Sequence, residues 1–291
     1  MSRIIARRNP VAFKTQALHV QASPEVLRYT PVGNPLSFDE MLALRQPVQV
    51  VDPDCFELTV ANLGVSADIT FIWQQRAFRV LVRQQRPDRN DDVLKLLSGY
   101  VPAHELRLPL LTLMTELAEE LLLETGQGWL PGRYQEVWLP APYADTLPAD
   151  PKRWYQLAPQ QSATRAVMCR ELNLLERPRA YVHLPTNSLQ LVYYMRLTLP
   201  ACKDLNLLHA DETLDAQHNE LVAQLDPHKP DLYLAELIDG SASGRLFTLE
   251  KGELIEQQPQ HLLLSEAFAP QSGWIVAESH CNWPHGLVET P

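Results

Sequence analysis

Hydrophobic residues in the first half of the chain follow the two-residue period of strands. β-Branched and aromatic residues recur with partial alternation from Phe56 to Arg86, which predicts strands. The residues Gln74-Gln75-Arg76 separate two of these runs and suit the tip of a hairpin. The next run, VLKLLSGY at 93–100, predicts a short strand that leads into a glycine turn.

The hydrophobic period changes to that of a helix after residue 108. Pro109 suits the first helical position, where its missing N–H costs nothing. Gly126 suits a left-handed cap just past Thr125, so we expect the helix to end there. Its buried side is predicted by apolar residues at helical spacing: Leu110, Leu113, Met114, Leu117 and Leu121.

Other parts of the chain predict two further helices and more strands. Ser37 and Glu40 have the spacing of a capping box, which predicts a short helix from Ser37 to Arg45. The stretch from Asp211 to Leu225 carries apolar residues at helical spacing and predicts another helix. Strands are expected in RAYVHLP, LQLVYYMRLTLP, LYLAELIDG, SGRLFTLEKGELI and GWIVAESH.

These elements divide the chain into three segments. Residues 1–50 contain too few apolar residues for a core of their own, and they predict an N-terminal extension. Residues 51–235 predict the main domain, with an insertion at 127–165 that is long enough to cover or bind something. Residues 236–291 predict a β-rich segment packed on the same body.

Composition narrows the classes of partner. Hydrophobic residues make up 45% of the 291, which is enough for a globular core, and the net charge of −10 argues against a nucleic-acid backbone as a general partner. No apolar run approaches the roughly 18 residues of a membrane span, and the N-terminus lacks the apolar segment of a secretory signal. The four cysteines form no CxxC pair, so we expect neither structural zinc nor a disulfide framework, and a cytoplasmic location.

Candidate chemistry is concentrated in the helix that begins at Pro109. Glu116, Glu119 and Glu120 share one face of it, and like charges at this spacing destabilise a helix by a few tenths of a kcal/mol. A hard divalent cation such as Mg²⁺ removes that repulsion, because it prefers carboxylate oxygens. The alternative is an acidic helix face exposed to water in an α+β protein of another role.

The order of strand, glycine turn, glutamate and acidic helix resembles the signature of the Nudix hydrolase family. Gly99 is followed by five residues and then Glu105, and the helical half of the signature is similar to residues 115–122, TELAEELL. Three departures stand out: a gap of nine residues before Thr115 where the family has seven, Thr115 in place of arginine, and Leu122 in place of glycine. A second register would use Glu120, Glu124 and Gly126.

The resemblance implies a fold, a cofactor and a set of site residues. The fold would be an α+β protein, a Nudix-type α/β/α sandwich with a mixed sheet, and the cofactor Mg²⁺ or Mn²⁺. The catalytic carboxylates would be Glu116, Glu119 and Glu120. The metal ligands would be these three with Glu105 and the carbonyl of Ser98, and Gly99 would meet the substrate. Arg83 and Arg86 lie just before the signature strand, where they would either meet substrate phosphates or be arginines exposed in a loop.

Two functions follow from the resemblance. The first is a Mg²⁺-dependent hydrolase that cleaves the diphosphate linkage of a nucleoside diphosphate joined to another group. The second is an inactive Nudix-like domain that binds nucleotides or regulates a partner. A homodimer is left open in either case. The aromatic residues of the insertion would stack on a base or anchor the insertion to the body: Trp129, Tyr134, Trp138, Tyr143, Trp154 and Tyr155.

Overall fold

The computed structural model describes residues 3–10, 13–23, 27–52, 55–86, 91–160, 166–169, 172–175, 178–226, 232–258, 262–264 and 274–276. This part of the chain is mainly β-structure, with two α-helices, α1 (Phe38–Leu44) and α2 (Pro109–Glu120). Short 3₁₀ helices span Ala103–Glu105 and Leu184–Thr186.

The strands of the first half precede and follow helix α2. They are β1 (Arg3–Arg8), β2 (Thr15–Ala22), β3 (Leu27–Leu36), β4 (Phe56–Val60), β5 (Asn62–Trp73), β6 (Arg76–Arg86), β7 (Asp91–Lys95), β8 (Leu97–Tyr100), β9 (Leu121–Thr125), β10 (Gly128–Trp129), β11 (Gly132–Tyr134) and β12 (Val137–Trp138).

The strands of the second half return to the same sheets. They are β13 (Tyr155–Pro159), β14 (Ala166–Cys169), β15 (Leu172–Leu175), β16 (Arg179–His183), β17 (Ser188–Thr198), β18 (Asn206–His209), β19 (Asp211–Asp215), β20 (Glu220–Leu225), β21 (Leu232–Ile238), β22 (Ser241–Glu250), β23 (Glu253–Gln257), β24 (Leu262–Leu264) and β25 (Trp274–Val276).

A mixed sheet of 14 strands forms the body of the protein. Its main path runs β12-β11-β13-β17-β5-β6-β21-β22-β23. The centre of the path is the parallel pair β5 and β17, aligned with Leu63 opposite Leu189. Both of these side chains are buried, as expected for parallel strands covered on both faces.

The predicted α/β/α sandwich is wrong. A sandwich of that kind needs helices on both faces of the sheet, but the two α-helices of the described residues have only 12 and 7 residues. The smaller sheets β1-β20-β19, β10-β9-β18 and β3-β2-β4 provide further layers instead. The chain is therefore a mostly β protein.

The helix predicted from Asp211 to Leu225 is replaced by the antiparallel strands β19 and β20. The turn between them contains Asp215, whose carboxylate accepts hydrogen bonds from the backbone N–H groups of Gln217 and His218. Asn219 completes the turn with a φ of 52°, a conformation that a helix interior does not use. Local turn chemistry thus overrides the helical spacing.

Helix α2 begins as predicted and ends earlier than predicted. Pro109 occupies the first turn, but the helix stops at Glu120 because Leu121 has an extended backbone. Residues 121–125 form β9, whose first three leucines are all buried. Gly126 is not a helix cap, since its N–H donates to Asp204 Oδ2 at 2.6 Å.

Two local predictions made from turn and cap residues are confirmed. Ser37 and Glu40 form the capping box at the start of α1, with both reciprocal hydrogen bonds present. Gln74 and Gln75 form the tip between β5 and β6, with φ values of 49° and 64°. Signals of this kind depend on a few neighbouring residues, so the rest of the fold does not alter them.

Strand β1 joins the N-terminal residues to a late part of the chain. It pairs with β20, so that Arg8 lies opposite Leu221. Ile5 of β1 is buried in a second hydrophobic cluster with Leu122 and Tyr143. No helix in the described part of the chain is long and apolar enough to cross a membrane.

Candidate functional site

A cavity of about 560 Å³ lies beside the acidic face of α2. Its walls come from α2, from β6 and β7 of the main sheet, from β18 of the sheet β10-β9-β18 and from β19 of the sheet β1-β20-β19. The residues that line it are Val82, Arg83, Gln84, Lys95, Glu116, Glu119, Glu120, Tyr143, His209, Ala210, Asp211, Glu212 and Thr213. The three glutamates predicted from the sequence therefore share one cavity.

Glu116 and Glu120 form the acidic centre of this cavity. Burial, followed by the charges of Glu120 and Glu119, raises the pKa of Glu116 to about 8. Burial also raises the pKa of Glu120 to about 7, against a lowering effect of Lys95. Glu120 Oε2 is buried with no hydrogen-bond partner among the described residues. A buried carboxylate oxygen left in this state is costly unless a ligand completes it.

Gly99 makes room for Glu116. A Cβ atom at this glycine would overlap the Cδ and Cγ atoms of Glu116. Gly99 lies in β8, which pairs with β5, so the sheet holds the glycine against the helix. The glycine leaves space for the Glu116 carboxylate, which packs directly on the backbone.

Glu119 is held differently from its two neighbours. Its Oε1 lies 2.6 Å from Nη1 of Arg8, which comes from the end of β1. The Arg8 guanidinium lies over the Tyr143 ring, 5.2 Å from the centroid. The Tyr143 hydroxyl in turn donates to the backbone carbonyl of Glu119 at 3.3 Å. Arg8 and Tyr143 together fix this glutamate.

Cationic side chains from the main sheet face the glutamates. Arg83 of β6 and Lys95 of β7 both line the cavity. Lys95 Nζ donates to Ser98 Oγ at 3.0 Å, which fixes its direction. The cavity thus combines carboxylates with cations that suit phosphate oxygens.

The structure separates the remaining predicted site residues. Glu105 does not line the cavity, and its carboxylate accepts a hydrogen bond of 2.6 Å from the Thr112 hydroxyl. Ser98 contributes its hydroxyl to Lys95 and is likewise absent from the cavity wall. Arg86 belongs to β6, but its side chain falls outside the described part. Arg83 lines the cavity, whereas Gly99 does not line it and packs against the Glu116 side chain instead.

The alternative register of the signature separates in the same way. Glu124 lies on β9 and accepts a hydrogen bond from Asn206 Nδ2 at 3.1 Å. It does not line the cavity, whereas Glu116, Glu119 and Glu120 do. Leu122, in the place of the signature's glycine, is buried in the second hydrophobic cluster. A side chain is needed at that position to fill the cluster.

The aromatic residues of segment 127–165 separate into three groups. Tyr143 lines the cavity. Trp138 and Trp154 contact each other edge to face, with centroids 5.9 Å apart, and Arg133 lies over the Trp138 ring. The others, Trp129, Tyr134 and Tyr155, are buried and anchor the insertion to the body.

Arg8, Lys95 and Glu212 belong to the site, and the sequence analysis missed them. Lys95 is the last residue of β7, the strand before the one that contains Gly99. A search of the residues adjoining the signature would therefore have found it. Arg8 and Glu212 are brought to the helix by the sheet β1-β20-β19. Nothing in the local sequence connects them with α2.

Two carboxylates, rather than three, are suited to a divalent cation. Among the described residues, no group of three or more His, Cys, Asp or Glu side chains is placed to hold a metal ion. Mg²⁺ is commonly bound by one or two carboxylates, with water and substrate phosphates as the other ligands. Glu116 and Glu120, with the unpartnered Oε2 of Glu120, fit that kind of site.

Comparison with known proteins adds no family. No family model matches the chain. No curated protein matches it either. The cavity and its residues are therefore the features that indicate a function.

Proposed function

We propose that this protein is a hydrolase that uses Mg²⁺ or Mn²⁺ to cleave the diphosphate linkage of a nucleoside diphosphate derivative. The observation that carries the proposal is that Glu116 and Glu120 line one cavity together with cationic side chains. Burial raises the pKa values of both carboxyls, and Oε2 of Glu120 has no partner in the described part of the chain. A divalent cation would supply the positive charge that balances these two carboxylates.

Glu116 and Glu120 would hold the metal ion. Such an ion neutralises phosphate oxygens and lowers the pKa of a bound water. Arg83 and Lys95 lie where they can bind the phosphate groups and orient the linkage. Glu212 faces the helix from β19 and adds a carboxylate able to accept a proton.

The second candidate is a domain that binds a phosphorylated ligand without hydrolysing it. The observation in its favour is the ion pair between Glu119 and Arg8, which removes one of the three helix carboxylates. Thr115 also offers these carboxylates no support, because its hydroxyl donates to the carbonyl of Leu111 in its own helix. Both candidates share the cavity and differ in turnover.

Metal binding is the first test. A titration with Mn²⁺, measured by calorimetry, is expected to reveal one binding site. Glu116→Gln and Glu120→Gln should each weaken its affinity for Mn²⁺ by about tenfold or more. Glu124→Gln is the matched control, since Glu124 lies on the strand after the helix and outside the cavity. Wild-type protein that binds no Mn²⁺ at millimolar concentration would sink the hydrolase proposal.

Turnover is the second test. Nucleotide sugars, ADP-ribose, dinucleoside polyphosphates and nucleoside triphosphates are incubated with the Mg²⁺-loaded protein, and the products are resolved by chromatography. Cleavage that Glu120→Gln abolishes and Glu124→Gln retains supports the hydrolase. Tight binding of one of these compounds without cleavage supports the binding domain.

A further inference from the structure

The end of strand β1 is fixed on both of its edges. On one edge, Arg8 lies opposite Leu221 in the ladder with β20. On the other, Thr146 Oγ1 donates to the carbonyl of Ile5, and Arg3 donates to the carbonyl of Thr146. Backbone pairing and these hydrogen bonds therefore fix the backbone position from which the Arg8 side chain extends.

The Arg8 side chain is directed at one glutamate of the three. Its Nη1 lies 2.6 Å from Glu119 Oε1, and a charge-assisted contact of this length is a strong one. The pKa of Arg8 is raised: although its burial alone would lower it, the hydrogen bond and charge of Glu119 raise it. The ring of Tyr143 supports the guanidinium from below. The pair is thus held by three elements of the fold.

A carboxylate that is ion-paired in this way is a poor ligand for a second cation. Binding a divalent ion through Glu119 would require the Arg8 contact to break or would place two cations on one carboxylate. Glu116 and Glu120 carry no such partner in the described residues. The helix therefore presents three glutamates, of which one is already neutralised.

We propose that Arg8 is a positioning residue that withholds Glu119 from the metal and limits the ligand set to Glu116 and Glu120. This inference rests on the metal site proposed above. It assigns a role at the site to the N-terminal strand, which is far from the glutamates in sequence. It also makes a directional prediction, because removing a residue of the site should strengthen metal binding.

The test compares the Mn²⁺ affinity of wild type, Arg8→Ala and Arg8→Gln by calorimetry, with circular dichroism as a check of folding. Both variants remove a positive charge and release Glu119, so we expect about tenfold tighter binding. Arg8→Lys keeps the positive charge beside Glu119 and is therefore expected to bind Mn²⁺ more weakly than the two neutral variants. Arg7→Ala is the matched control, since Arg7 pairs with Glu220 and Asp215 instead.

A double-mutant cycle separates the pair from a general charge effect. In a Glu119→Gln background, Arg8→Ala should tighten Mn²⁺ binding by less than about threefold, because no carboxylate is released. An equal gain in both backgrounds would overturn the role of the pair, as would unchanged or weaker binding by both Arg8→Ala and Arg8→Gln. In those cases the metal site itself would stand.

The outcome for wild type distinguishes this inference from the proposed function. If neither wild type nor the Arg8 variants bind Mn²⁺, the metal site and the Arg8 role fail together. If Arg8→Ala binds Mn²⁺ and wild type does not, the Arg8 role is supported and the hydrolase is not. The chain would then be the binding domain described as the second candidate.

Discussion

Two regions of the described chain hold glutamates that are partly or fully buried, and the fold treats these glutamates in opposite ways. One region, called the hairpin region below, comprises Arg76, Glu236 of β21 and Ser243. There Glu236 accepts hydrogen bonds from Arg76 Nε at 2.9 Å and from Ser243 Oγ at 2.9 Å. The Arg76 hydrogen bonds, followed by that of Ser243, lower the pKa of Glu236. In the cavity, burial raises the pKa values of Glu116 and Glu120.

The two regions differ in the partners that the chain supplies to these carboxylates. Glu236 is only 7% exposed, yet the chain surrounds it with donors. Glu120 has a buried oxygen for which the described residues supply no donor. The unpaired carboxylate oxygen of Glu120 costs folding free energy that Glu236 does not cost. Unfavourable environments of this kind are concentrated at functional sites.

The largest expected effect comes from removing the partner in the hairpin region. Arg76→Ala leaves Glu236 without its main donor and removes the contact of the guanidinium with the Phe247 ring, so we expect Tm to fall by roughly 6 °C. Calorimetric melting measures this. Arg196→Ala, at an exposed position of β17, is the control and should change Tm by less than about 1 °C. An unchanged Tm for Arg76→Ala would mean that the pairing of Glu236 contributes no stability.

Glu116→Gln should act in the opposite direction. The pKa of Glu116 rises from 4.5 to about 8 on folding, so the folded state holds more protons between these pH values. The stabilising contribution is complete below pH 4.5 and is lost as the pH rises through about 8. In the absence of metal, Glu116→Gln should therefore be more stable than wild type by about 2 kcal/mol at pH 9, and show no such gain at pH 4.

Denaturant unfolding at a series of pH values measures this difference. The control is Glu124→Gln, whose carboxylate lies outside the cavity beside Asn206 and should not reproduce the pH dependence. A constant difference between Glu116→Gln and wild type from pH 4 to 9 would contradict the raised pKa.

Binding of a divalent metal should give the cavity glutamates the partner that Glu236 already has. With a Kd of about 1 mM, 10 mM Mg²⁺ would stabilise wild type by about 1.4 kcal/mol, which corresponds to a Tm increase of roughly 3 °C. The increase should fall to about 1 °C or less in Glu116→Gln and Glu120→Gln and persist in Arg76→Ala, whose change lies in the hairpin region. Ca²⁺ and Na⁺ at equal ionic strength control for screening. Equal stabilisation by Na⁺ would exclude a specific site.

The smallest effect is expected at Gly99. In Gly99→Ala, the added methyl group must displace the Glu116 carboxylate, because it would overlap the side-chain atoms. The end of a glutamate is flexible, so we expect a loss of less than about 1 kcal/mol in stability without metal. The Mg²⁺-dependent increase in Tm should fall by half or more. Gly126→Ala is the control, since a Cβ atom there would likewise meet a flexible carboxylate, that of Asp204, outside the cavity.

The sequence identified the central part of the site because its signals are local. Glu116, Glu119 and Glu120 face one cavity, since they lie three and four residues apart on a helix that forms where its apolar period predicts. Gly99 was found because it lies just before that helix. These residues could be related to one another without knowledge of the fold.

The remaining walls could not be predicted in this way. Arg8 and Glu212 reach the helix through strand pairing between distant segments, and pairing of this kind leaves no local pattern. The segment 211–225 was misread because its apolar spacing suits a helix, while the turn at Asp215–Asn219 determines the strands. Glu105 was predicted as a ligand from the resemblance, but its hydrogen bond to Thr112 directs it elsewhere. The fold class failed for the same reason, because the number of strands depends on long-range pairing.

The pairing of β1 with β20 also affects the order in which the protein is assembled. Arg7 and Glu220, which form a hydrogen bond across this pair, lie 213 residues apart in the chain. Contacts between such distant segments close large loops and form late in folding. During synthesis, helix α2 therefore emerges and can pack long before Arg8 can reach Glu119. The acidic helix is expected to pass through an interval without its arginine, when it is most open to free cations in the cell.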